Sequence, residues 1–169
     1  NIYHGHEYAY DKKKGFNLET IQAYNNLEEL SKLFNQVDFV TVGRVDFVSS
    51  LGKDRNFVDS PEMYEMVENV FTKAREQNTM CYMGGAVSIN SQNFIEKLIE
   101  KDLLDKFETR YIIYDVHKLN IKDFDKLLYW GNVFEVEWLK FIHSRYAMHA
   151  NKDVERIKMI ESRIASNKI

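Results

Sequence analysis

Two acids in this chain stand where chemistry gathers in α/β proteins. Glu19 lies in the segment Asn17-Leu18-Glu19-Thr20, and Asp46 ends the segment Gly43-Arg44-Val45-Asp46. Both segments close stretches that read as strands, so both acids fall at strand carboxyl ends, where barrels and doubly wound sheets build their sites. Neighbouring parallel strands lie about 4.8 Å apart. Two carboxylates at that spacing can converge on one cation. With substrate oxygens and water they suit Mg²⁺ or Mn²⁺. The alternative is a pair of surface acids at loop starts. Gly43 and Gly52 bracket Arg44, Asp46, Ser49 and Ser50, and a glycine turn with an Arg can hold a carboxylate or a phosphate. The chain has no GxGxxG and no GxxxxGK[ST] pattern, so neither nucleotide motif supports that turn.

Other reactive residue types read more simply. Glu108 and Arg110, in Phe107-Glu108-Thr109-Arg110, form either a site pair or an internal ion pair. His4-Gly5-His6 has no third ligand at helical or turn spacing and reads as a surface loop or an expression remnant. His117, His143 and His149 read as surface or helix-face residues, and Tyr111, Tyr114, Trp130 and Trp138 as packing residues. Cys81, the single cysteine, sits in a strand-like run without a His partner and reads as an inert buried thiol.

The elements that must position these residues alternate. GFNLET, VDFVTVGRVDFV, TMCYMGGAV and FETRYIIYDV read as strands. Between them, Leu27, Leu30, Leu33 and Phe34 recur at helical spacing, as do Met63, Met66, Val67, Val70, Phe71 and Ala74. Ser60-Pro61 supplies an N-cap followed by proline at the first helical position. A helix is expected from Ser91, another from Asp123 to about Tyr146, and a further one from Asp153 to Ala165. The organisation expected is an irregular segment over 1–15, four β/α units over 16–146 and a helical extension over 147–169. This order predicts an α/β fold of parallel strands joined by right-handed crossovers. It fits half of an eight-fold barrel or a small doubly wound sheet.

Composition limits the function classes. The chain has 169 residues, of which 44% are hydrophobic and 14% aromatic, too apolar for a disordered tail. A net charge of −3 gives no general grip on nucleic acid. Charges interrupt every apolar run before it reaches membrane-spanning length, and no signal-peptide pattern opens the chain. A lone cysteine leaves no internal disulfide and suits a reducing, cytoplasmic setting.

The run NLETIQAYNNLEEL followed by VDFVTVGRVDFVSSLGKDRN resembles the HpcH/HpaI aldolase and citrate lyase beta-subunit family. That family shows a strand ending in (I/V)-E-T. A helix with an asparagine follows, and then a stretch D-x-(V/I)-x-x-G-x-x-D-(L/F)-x-x-x-(L/M)-G. Here these parts are Leu18-Glu19-Thr20, Asn26, and Asp38 through Gly52. The resemblance is strongest over 16–58 and continues more loosely through Gly84-Gly85 and the Phe107–Tyr114 run.

The resemblance implies a TIM (β/α)8 barrel, of which this chain carries the C-terminal half, plus extra C-terminal helices. It implies Glu19 and Asp46 as metal ligands and Mg²⁺ or Mn²⁺ as cofactor. The backbone of Gly43, Arg44, Val45 and Asp46 would meet the carboxylate of a small-molecule, pyruvate-like oxo acid. The reaction implied is carbon–carbon cleavage or formation through an enolate. Many members carry Gly-Pro where this chain has Gly43-Arg44. The strands that would supply the family's substrate-binding Arg and base-positioning His lie upstream of the matched motifs, so neither role falls on a residue here. A half-barrel exposes strand edges, and a homo-oligomer is expected. Three functions compete: a metal-dependent aldolase or lyase, including the acyl-CoA lyase variant; a non-catalytic binding or assembly subunit; and a phosphate-handling domain motivated by Arg44 and Gly84-Gly85.

Overall fold

The computed structural model of the protein describes residues 12–166, which leaves His4-Gly5-His6 outside the described residues. The chain divides into two compact units at the Leu128–Tyr129 junction. In the first unit, β1 (Gly15–Leu18) leads into the short helices α1 (Ile21–Asn25) and α2 (Leu27–Ser31). Then come β2 (Phe39–Gly43), α3 (Arg44–Ser50), α4 (Pro61–Glu76), β3 (Met80–Gly84) and α5 (Gln92–Glu100). The unit ends with β4 (Lys106–Glu108), β5 (Ile113–Asp115) and the first turn of α6 (Phe124–Ser166).

The sheet order is β1-β2-β3-β4-β5, with β1 to β4 parallel. Strands therefore neighbour one another in chain order. Right-handed crossovers then bring every helix to the same face of the sheet. A doubly wound sheet instead reverses its strand order and takes helices on both faces. The sheet follows the barrel-type order, as a partial (β/α) barrel.

Period two divides the strands between the faces. Val40 and Val42 of β2, Cys81 and Met83 of β3 and Phe107 of β4 enter the buried core with Phe47, Val67, Phe71 and Leu98 from the helices. Phe39, Tyr82, Lys106 and Glu108 alternate with them and stay half-exposed on the other face. There Phe39 and Tyr82 stack at 4.5 Å, and Lys106 lies over the Tyr82 ring at 5.1 Å.

Four expectations need correction. VDFVTVGRVDFV is a strand only over Phe39–Gly43, and beyond the N-cap Gly43 it turns into α3, which puts Asp46 on a helix. FETRYIIYDV is a hairpin, with β4 pairing β5 antiparallel through Phe107–Tyr114. The turn falls at Thr109–Ile112, where the Thr109 N–H donates to the Ile112 carbonyl. The C-terminal helices are one: α6 runs unbroken through 147–152, a stretch with neither Pro nor Gly to stop it. The junction between the two compact units falls within this helix, after Leu128. Among the expected packing aromatics, Tyr114 is buried, but Tyr111, Trp130 and Trp138 are 44%, 67% and 40% exposed. Periodicity marks a helix face as apolar and leaves open whether that face is covered.

Candidate functional site

A cavity of about 370 Å³ lies along the half-exposed face of the sheet, from Phe39 at the start of β2 to the carboxyl ends of β1 to β4. Glu19 and Asn17 from β1, Gly43 and Asp46 from the β2–α3 junction, Gly84 and Gly85 from β3, and Glu108 from β4 form its wall. Glu19 is held by what flanks it. Asn17 Nδ2 donates to Glu19 Oε1 at 3.2 Å, and Thr20 caps α1 by accepting from the Ala23 N–H at 3.1 Å. The next amide, Ile21 N–H, donates to Ser50 Oγ at 2.8 Å, tying this loop to α3. Asp46 sits in the first turn of α3, exposed at the cavity rim.

Two glycines make room for two carboxylates. A Cβ at Gly43 would stand 2.6 Å from Glu19 Oε1, and a Cβ at Gly84 would stand 2.7 Å from Glu108 Oε1. Gly43 and Gly84 are register partners on adjacent strands. Glu19 therefore leans over β2 from one side and Glu108 over β3 from the other. Burial raises the Glu108 pKa, and the Glu19 charge raises it further. Gly85 has φ +90, and a Cβ there would meet the backbone N of Val45 at 2.7 Å. The end of β3 thus runs against the first turn of α3, an approach that only glycine permits.

Arg44 does not serve this cavity with its side chain. It is fully buried and donates five hydrogen bonds, to Asp59 Oδ1 (2.6 Å), the Gly85 carbonyl (2.9 Å), the Val58 carbonyl (3.2 Å), Ser91 Oγ (3.3 Å) and the Gly84 carbonyl (3.4 Å). Its guanidinium also lies 5.0 Å from the Phe94 ring centroid. Burial lowers its pKa and the Asp59 carboxylate opposes that shift. All its donors are taken within the fold, so the substrate-binding expectation for Arg44 survives only for its backbone. The phosphate-handling reading loses its cation for the same reason.

Glu108 is the site residue that sequence reasoning misplaced. Read as the start of a long strand, it belonged at the far end of the sheet. The hairpin makes it the last residue of β4 and puts it on the cavity wall. Arg110 falls in the turn, exposed, with its guanidinium 5.8 Å from the Tyr111 centroid. The signal that could have found the hairpin was the short polar Glu108-Thr109-Arg110 step between Phe107 and the apolar Tyr111–Tyr114 run. Cys81 is buried, and burial pushes its thiol up to about 12, as expected of an inert cysteine.

The chain is similar to part of a known aldolase structure. The crystal structure of an HpcH/HpaI aldolase from Desulfitobacterium hafniense DCB-2 matches it with a TM-score of 0.41 at 21% identity. The match covers 49% of this chain and 31% of that chain, so it spans under a third of the aldolase's length. No protein-family model and no curated protein sequence matches the chain.

Among the wall residues, the carboxylates are the donors available to a divalent cation. Glu19 and Asp46 share the cavity, and no set of three or more His, Cys, Asp or Glu side chains able to hold a metal occurs among the described residues. Two carboxylate donors fit an ion such as Mg²⁺, which takes one or two carboxylates and fills its remaining positions with water and substrate oxygens. No helix among the described residues is long and apolar enough to cross a membrane.

Proposed function

We propose that the cavity is the centre of a metal-dependent carbon–carbon lyase or aldolase acting on a pyruvate-like 2-oxo acid. The observation that supports the reading is that Glu19 and Asp46 line the same cavity. The sequence resemblance assigns the same two residues the same role. Glu19 and Asp46 would hold Mg²⁺ or Mn²⁺, which when bound supplies Lewis-acid polarisation of the oxo acid. The Asn17 amide keeps the Glu19 carboxylate turned inward, and the notch at Gly43 leaves that carboxylate its place. The first-turn amides of α3, which lack intrahelical acceptors, would meet the substrate carboxylate through Val45 and Asp46. A cytoplasmic setting fits the single buried thiol.

The test is deuterium exchange at the pyruvate methyl group, followed by NMR on the natural full-length chain with and without Mn²⁺. Exchange should require the metal and fall at least tenfold in Glu19→Gln and in Asp46→Asn. Metal affinity should fall in both variants as well, and unchanged affinity in both would end the metal reading.

A further inference from the structure

The second unit holds a feature that the proposed site does not use. Helix α6 carries a seam in strict three–four spacing over its exposed length. Val136, His143, Ala150, Ile157 and Ile164 recur every seven residues. Leu139, Tyr146, Asp153 and Ile160 recur every seven residues, three positions later. This is the a and d pattern of a two-stranded coiled coil. Its large apolar members, Val136, Leu139, Tyr146, Ile157, Ile160 and Ile164, are each between 45% and 70% exposed. From Val136 to Ile164 the seam is about 42 Å long at 1.5 Å per residue. The next longest helix, α4, has 16 residues, and its apolar face is already buried. The element that matches the seam in length is therefore α6 itself.

We propose that α6 pairs with α6 of a second copy as an antiparallel coiled coil, with its two-fold axis beside Met148. The two polar residues of the seam decide the orientation. A parallel pair sets His143 against the partner's His143 and Asp153 against the partner's Asp153, placing like against like. An antiparallel pair centred at Met148 sets His143 against the partner's Asp153, so an imidazole N–H donates to a carboxylate, and the symmetry makes this contact twice. In the same register Val136 meets the partner's Ile160, and Leu139 meets the partner's Ile157. Tyr146, the largest seam residue, meets the partner's Ala150, the smallest. Glu135 flanks the seam beside the partner's Arg163, adding a pair of opposite charge. One register thus satisfies every layer from Val136 to Ile160. This interface differs from strand-edge pairing and does not depend on the proposed chemistry.

Sedimentation equilibrium of the chain should show a dimer at micromolar concentration. Ile157→Asp should raise the dissociation constant at least tenfold while leaving the urea midpoint of the first unit unchanged. Orientation is read by mixing Val136→Cys chains with Ile160→Cys chains under oxidation, the native Cys81 being buried. The expected product is the mixed 136–160 disulfide. Disulfides of 136 with 136 and 160 with 160 would overturn the antiparallel pairing. A monomer at 100 μM, at the scale of about ten times a weak micromolar constant, would overturn the proposal. So would a dimer that Ile157→Asp leaves intact, since association would then use another surface.

Discussion

Two acids bracket β4, and they live in opposite states. Asp105 stands just before the strand and Glu108 closes it, about 10 Å further along at strand rise. Asp105 is buried, accepts from the Cys81 N–H (2.7 Å) and from His117 Nε2 (3.2 Å), and forms an ion pair with Arg75 (2.9 Å). Burial works to raise its pKa, yet these donors hold it below the ordinary carboxylate value. Glu108 has burial and the Glu19 charge acting in the same direction, and its pKa is raised. At the amino end of the sheet the acid is spent on structure, joining β3, α4 and the segment after β5. At the carboxyl end the acids line open space, and the fold makes room for them with glycine. Among the described residues, acid is matched by cations at one end of the sheet and left unmatched at the other, which supports the proposal that the open end takes a ligand.

The largest break in this comparison should come at Arg44, the matched cation beneath the open end. Arg44→Ala removes one member of a buried ion pair and leaves Asp59 and three carbonyls without their donor. Urea unfolding should show a loss of about 3–5 kcal/mol. A loss within 1 kcal/mol would mean that the network is not a fastener.

Asp105→Asn should cost less, about 1.5–3 kcal/mol, the range for hydrogen bonds to charged groups. It should also change the acid limb. A carboxyl with a lowered folded pKa lends stability above its unfolded value, near 3.9, and that stability is lost as pH falls through the folded pKa. The wild-type chain should therefore lose stability below about pH 4 more steeply than Asp105→Asn. Parallel acid limbs would refute the assignment.

The smallest effect on stability is expected at Glu108. Its raised pKa means that its charge costs stability as pH rises through the folded value. Glu108→Gln should leave stability at pH 7 within about 0.5 kcal/mol of wild type, in the favourable direction. A clear destabilisation would show that Glu108 is matched after all and would collapse the contrast between the two ends.

Much of the first unit was legible in the sequence. Val40, Val42, Cys81 and Met83 lie in runs whose composition declares buried strands, and Ser60-Pro61 announces α4, where the Ser60 hydroxyl accepts from the Met63 N–H. Glu19 directly follows β1, as its run suggests, whereas Asp46 falls in the first turn of α3, past the end of β2. The hairpin was hard to read, because its two strands have three residues each and the polar step between them is short. Arg44 was misread for another reason. Its type and spacing suit an anion site, and only packing shows that Asp59, Ser91 and the β3 carbonyls already occupy it.

The chain by itself determined the cores of β1, β2 and β3, the helices α4 and α5, their alternating order and the place of Glu19 just after β1. These depend on period, capping and β-propensity, which act over a few residues. Tertiary structure decided that Glu108 joins the cavity, that Arg44 leaves it, and that Asp105 is paired while Glu108 is not. Those outcomes depend on contacts between residues far apart in the chain, such as Arg44 with Gly85 and Cys81 with Asp105. Local pattern carries no information about such partners, because the energy of a buried charge is set by whatever the fold brings beside it.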